Sequence, residues 1–183
     1  MAERCVALTG ELQDALARLP EDADDPDVVD AVWHGEALGT LLWALQLAEL
    51  PPYDRPFRRH ELLGADPAAG RLRPADEIEL EAETARLWHW RARTSALTAG
   101  GSMELPDRFS TVDQLVAATA MRGHDRGLLP PPLRGDFPAF GKIYRHLTPE
   151  ELALMHSVAA ERHHALSWLC SRGEDWDQVS LDT

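Results

Sequence analysis

The side chains best equipped for chemistry fall in three places. In ERHHALSWLC, Glu161 and His164 form a Glu-x-x-His pair, which puts a carboxylate and an imidazole on one helical face. In ARLWHWRART, Arg86, His89, Trp90 and Arg93 follow i, i+3, i+4, i+7 spacing and share a face. In HGEALGTLLWALQLAEL, Glu36 stands among apolar residues, and Arg162 interrupts the apolar series Leu152, Met155, Ala159, Leu166 and Leu169 in the same way.

Each pattern implies a testable chemistry. Glu-x-x-His supplies ligands in di-iron helical bundles, but those need two such motifs and two further glutamates. Only one motif is present, and His34 and Glu36, two residues apart, diverge on a helix. No metal and no cofactor is therefore expected. His89, His163 and His164 have the ring chemistry of general acids or bases. No nucleophile elbow, P-loop, HExxH, CxxC pair or GxGxxG accompanies them, which favours a structural role. The tryptophans, at helical spacing, read first as core and second as a stacking surface. Lys142, the only lysine, sits in a loop where it could meet an anion.

Charges at apolar helical positions cost several kcal/mol unless paired. The economical expectation is a network joining three helices through Glu36, Arg86 or Arg93, Glu161 and Arg162. The functional alternative is a polar pocket in which arginines hold an anionic ligand in bidentate fashion.

The elements that must position these groups are helical. Helices are expected at about 9–19, 26–49, 74–100, 111–122 and 149–170, and strand signals are thin. Asp25 and Pro26 suit the start of the second helix, and Thr111 with Gln114 fits a capping box. Thr148-Pro149 with Glu151 is the clearest start. Gly35 and Gly39 lie four apart on the second helix, where close approach by another element would offset their poor propensity. Two irregular segments, 51–73 and 123–147, are too long and too apolar for solvated linkers. The fold expected is all-α: a compact bundle of about five helices with two long irregular segments packed on it. Residues 1–25 read as an N-terminal helical extension and 26–183 as one helical domain. Trp176, Val179 and Leu181 imply that 175–183 packs on the body, with Trp176 largely buried and Asp182 or the terminal carboxylate meeting an arginine or a helix N-terminus.

The 183 residues carry a net charge of -13, with 31 acidic against 18 basic side chains. That argues against nucleic acid as partner, although Arg55, Arg58, Arg59 and His60 form a local basic patch. Two cysteines, Cys5 and Cys170, make no framework or metal pair, and the N-terminus lacks an apolar signal core. No apolar run is long enough to span a membrane. A cytoplasmic setting is expected.

Three blocks, WHGEALGTLLWALQLAELPPYD at 33–54, LRPADEI with ARLWHWRART at 72–78 and 85–94, and ERHHALSWL with WDQVSLDT at 161–169 and 176–183, resemble bacterial domain-of-unknown-function family 4272 in order and spacing. The likeness covers most of 30–183. It implies no activity, substrate or cofactor. It implies recurring polar positions at Glu36, Arg86, His89, Trp90, Glu161, Arg162, Trp168, Trp176, Asp177, Asp182 and Thr183. His34 and Ser167 depart from the family pattern, where arginine and asparagine are expected.

The reading favoured by these residues is a non-enzymatic soluble binding or interaction protein with a buried Glu/Arg/His network. Its partner is a protein or small molecule, and oligomers are compatible with it. The alternative is an enzyme or small anionic-ligand binder using Glu36, Arg86, His89, Glu161 and His164, with Trp90, Arg93 and Arg162 completing the candidate cluster. A metalloprotein is the third reading.

Overall fold

The computed structural model describes residues 1–19, 26–171 and 173–181, with the side chains of 26–34 outside the description. The expected capping by Asp25, the side chain of His34, and Asp182 with Thr183 therefore lie outside the described residues. Among the described residues six α-helices form: α1 (Ala2–Arg18), α2 (Pro26–Ala44), α3 (Arg59–Leu63), α4 (Ala75–Ala99), α5 (Val112–Asp125) and α6 (Pro149–Cys170). The sixth, short α3, lies within the first segment expected to be irregular. A two-residue antiparallel pairing, β1 (Pro138–Ala139) with β2 (Lys142–Ile143), lies within the second.

α6 is the central element. It packs most extensively on α4 and next on α2, and α1 packs on α2. Met155, Val158, Ala159, Ala165, Leu166 and Leu169 recur at helical spacing and form one buried stripe, and buried Arg162 lies within it. α1 contributes Cys5, Leu12 and Leu16 to the common core.

Local chemistry sets the helix ends. Thr148 Oγ1 accepts from the Glu151 amide while Glu151 Oε2 accepts from the Thr148 amide, 2.8 Å away, and Pro149 opens the helix. At α5 the box is displaced by one residue: Thr111 Oγ1 accepts from Gln114 N, but Gln114 Oε1 accepts from Ser110 N at 2.9 Å. α2 stops at Ala44, five residues before the expected end. The amides of Arg73 and Arg71 take the carbonyls of Ala44 and Leu45, at 2.8 and 2.9 Å, and Arg73 Nε takes that of Trp43. With its carbonyls occupied by a distant segment, the chain turns away at Gln46, whose φ is 62°.

Of the two α2 glycines, Gly39 has the tight neighbour. A Cβ there would sit 2.3 Å from Phe57 Cδ2, whereas at Gly35 the nearest atom, on Leu62, is an ordinary 3.7 Å away. Gly39 thus admits the aromatic ring of the first irregular segment against α2. Gly10, on α1, has nothing within 4 Å of a built Cβ. Gly39→Ala should therefore destabilise the protein by about 1–3 kcal/mol through overpacking. Gly10→Ala should stabilise it by roughly 0.5–1 kcal/mol through helix propensity. Urea denaturation of the two variants checks this, and equal responses would contradict the packing role.

Candidate functional site

The site is built outward from a buried ion pair. Arg162 on α6 is 0% exposed and Glu36 on α2 is 3% exposed. Arg162 Nε donates to Glu36 Oε2 at 2.8 Å. Its remaining donors serve the chain between α2 and α3: Nη1 donates to Pro51 O at 2.6 Å and Nη2 to Arg55 O at 3.1 Å. The second oxygen of Glu36 accepts from the Phe57 amide at 2.6 Å. The guanidinium also lies against the rings of Tyr53 and Phe57, 4.8 and 5.3 Å from their centroids. Both charges therefore have the additional hydrogen bonds that a buried pair requires. Removing either one would strand the other, a cost of about 3–5 kcal/mol.

A second buried pair repeats the design. Arg91 on α4 grips Asp136 in bidentate fashion, Nε to Oδ1 at 2.8 Å and Nη2 to Oδ2 at 3.0 Å. Asp136 also accepts from the amides of Phe137 and Arg145, and Arg91 stacks 4.2 Å from the Tyr144 ring centroid. Two X-Gly turns shape this segment. Arg134-Gly135 and Phe140-Gly141 both have positive φ, the pattern of tight two-residue hairpins. A phenylalanine in the left-handed region is strained. Asp54 Oδ2 accepts from the Phe140 amide at 2.7 Å, so a carboxylate of the first irregular segment fixes the turn of the second.

Where the two segments meet α4 they enclose a groove of about 510 Å³. Tyr53 and Asp54 come from the first segment, Glu81, Thr84 and Trp88 from α4, and Leu128, Pro130, Pro138 and Ala139 from the second. The rings of Tyr53 and Trp88 stack with centroids 5.2 Å apart. Tyr53 Oη donates to Glu81 Oε1 at 3.1 Å. Desolvation pushes the Glu81 carboxyl above its ordinary range, opposed by the Tyr53 hydrogen bond and by Arg162. Burial raises the Tyr53 phenol, and Glu81 raises it further. A second hollow, about 600 Å³, lies across the same Pro51–Asp54 stretch. It has mixed lining charges: Arg55 and Arg58 with Glu49 and Glu61.

The residues nominated from sequence do not form one cluster. Glu36 and Arg162 pair as expected, but neither Arg86 nor Arg93 is among the partners that complete this pair. Arg86 is exposed beside half-buried Trp90, and Arg93 Nη1 reaches Leu181 O at 3.4 Å. The shared face splits because His89 turns inward while Arg86 remains at the surface. Glu161 is half-buried on α6. His164 Nε2 bonds Trp176 O at 3.0 Å, and the His164 and Trp176 rings lie 4.3 Å apart. Trp176 is half-buried rather than largely buried, since its indole leans on His164 and Trp168 at the surface. Lys142 pairs with Glu151 at 2.7 Å. In the basic patch, Arg59 serves the carbonyls of Leu16 and Leu19 at the end of α1. Among the described residues, no three His, Cys, Asp or Glu side chains converge as metal ligands, and no helix is long and apolar enough to cross a membrane.

Sequence reasoning missed Arg91, Asp136, Tyr53 and Glu81. Arg91 carried a signal, since it lies between Trp88 and Ala92 on the buried side of α4. Asp136 and Tyr53 sit in segments without periodicity.

No protein-family model, curated protein or solved structure matches the chain.

The last buried polar contact joins His89 and His163, whose Nδ1 atoms lie 3.0 Å apart. One ring must donate Nδ1–H and the other accept, so the two neutral rings hold opposite tautomers. Burial lowers both to about 4, with His156 and Arg93 adding to the effect at His89, and His89, Arg86 and His164 at His163. The unfolded chain takes up these protons near 6.5. Stability is therefore complete above that pH and falls as pH drops toward 4. By pH 5 the loss is up to roughly 2 kcal/mol per imidazole. Urea unfolding between pH 7.5 and 5 should show this slope, and His89→Gln should reduce it by roughly half, because His163 stays buried. A slope absent in the parent chain, or undiminished in the variant, would contradict the account.

Proposed function

We propose that the protein is a non-enzymatic binding protein, and that its groove takes a basic, partly apolar segment of a partner protein. The observation that carries this reading is Glu81. Its carboxylate is desolvated at the groove wall, beside the second carboxylate Asp54, the stacked Tyr53 and Trp88 rings, and the prolines. A carboxylate whose charged form is disfavoured by burial gains when a cation arrives. Proline and aromatic surfaces suit the aliphatic stem of an arginine or lysine. The net charge of -13 would steer a basic partner toward the protein.

The residues with catalytic potential support the same reading from the other side. Glu36 and Arg162 use their polar atoms on one another and on backbone groups, and His89 and His163 bond each other. An enzyme using Glu36, Arg86, His89, Glu161 and His164 together would need a common cavity. These residues are instead spread over separate contacts. We place the protein in the bacterial cytoplasm, on the resemblance of its three sequence blocks to family 4272 and on its two free cysteines, Cys5 and Cys170.

A peptide array of hexamers, each with one arginine or lysine among proline and apolar residues, tests the reading. Binding should select the basic members over norleucine-substituted controls and weaken with added salt and with falling pH, as Glu81 takes up a proton. Glu81→Gln keeps an acceptor for Tyr53 and should weaken binding about tenfold, the loss of a charge-assisted contact. Selection indifferent to basic residues, or binding unchanged in Glu81→Gln, would contradict the proposal.

A further inference from the structure

Away from the groove, four arginines line one hollow of about 270 Å³. Arg86 comes from α4, Arg108 from the segment before α5, and Arg122 and Arg126 from the C-terminal end of α5. Trp90 and Thr119 complete the part of the wall that matters here. On a chain with net charge -13, four guanidiniums around one concavity run against the mean field of the molecule.

The bland explanation covers only part of this arrangement. Cations in the last turn of α5 are favoured by the helix dipole, which accounts for Arg122. It does not account for Arg86 and Arg108, which arrive from other segments. Glu83 pairs with Arg126 at the rim. Among the described residues, Arg86, Arg108 and Arg122 form no ion pair. Arg122, in the last turn of α5, and Arg126, the residue that caps it, are four apart and repel each other. Gly123 makes the convergence feasible: a Cβ there would lie 2.5 Å from Leu129 Cδ1 and 3.2 Å from Leu87 Cδ1. Its absence lets Leu129 tuck against α5 beside Leu87 of α4, in the wall that Arg86 and Arg122 share.

We propose that this hollow binds a compact polyanion, a small molecule bearing a diphosphate or several carboxylates. Arg86, Arg108 and Arg122 take its oxygens, Arg126 joins them when Glu83 is displaced, and Trp90 flanks the ligand. Planar guanidiniums match phosphate and carboxylate oxygens in pairs. The hollow's size suits a small ligand rather than an extended polymer. The site is independent of the groove and of any partner bound there.

Isothermal titration of the full chain with inorganic pyrophosphate and, separately, with citrate tests the proposal, against sodium chloride of matched ionic strength. Saturable one-to-one binding of either probe is expected. Tighter pyrophosphate binding identifies a phosphate ligand, and tighter citrate binding a carboxylate one. Arg86→Ala and Arg122→Ala, both exposed positions, should each weaken binding about tenfold. Glu83→Gln should strengthen it several-fold by releasing Arg126. Heats matching the chloride control for both probes would overturn the proposal, as would binding unaffected by both arginine substitutions.

Discussion

The ion pair between Arg162 and Glu36 is the interaction on which the rest of the structure depends. Both charges are buried, so their burial is tolerable only with their strong polar atoms engaged. Helix packing alone does not provide that. The missing partners are backbone groups of the chain between α2 and α3: two carbonyls, at Pro51 and Arg55, and the amide of Phe57. The pair therefore does more than join α2 to α6. It obliges an irregular segment to lie in one place, and Gly39 provides the room for the Phe57 ring to do so.

The second segment obeys the same rule. Asp136 satisfies Arg91 of α4 with both oxygens and gathers the amides of Phe137 and Arg145. Asp54 then ties the two segments together at Phe140. Grooves bounded by loops are usually mobile. Here both loop walls hang from buried guanidiniums, and the third wall is α4. This preorganisation is what a binding surface needs, because less ordering remains to be done when a partner arrives.

What the sequence made legible follows from periodicity. Glu36 and Arg162 stood out because charge interrupts an apolar helical series, and pairing was the only inexpensive outcome. The cap at Thr148 was legible because all its parts lie within four residues. Arg91 passes the same test as Arg162, between Trp88 and Ala92, but α4 also carries the polar series Arg86, His89, Trp90 and Arg93, which masks a single buried arginine. The end of α2 was misplaced because its carbonyls are taken by residues 71 and 73, beyond any local window. Asp54 with Phe140, and His89 with His163, are pairings across 86 and 74 residues. Such contacts are products of helix packing and leave no mark on spacing. The candidate groove was illegible for that reason: its residues come from α4 and from two aperiodic segments.

The central claim, that the buried pair holds the first segment in place, can be read at a group that neither charge touches. The Arg55 amide donates to Pro52 O at 3.0 Å within that segment. The Glu36→Leu, Arg162→Met double variant replaces both charges with apolar groups and leaves none stranded. Native-state hydrogen exchange should then show the Arg55 amide losing protection by about tenfold or more, the signature of local opening, while the α5 amides keep theirs. Unchanged protection at Arg55 in a folded double variant would contradict the account.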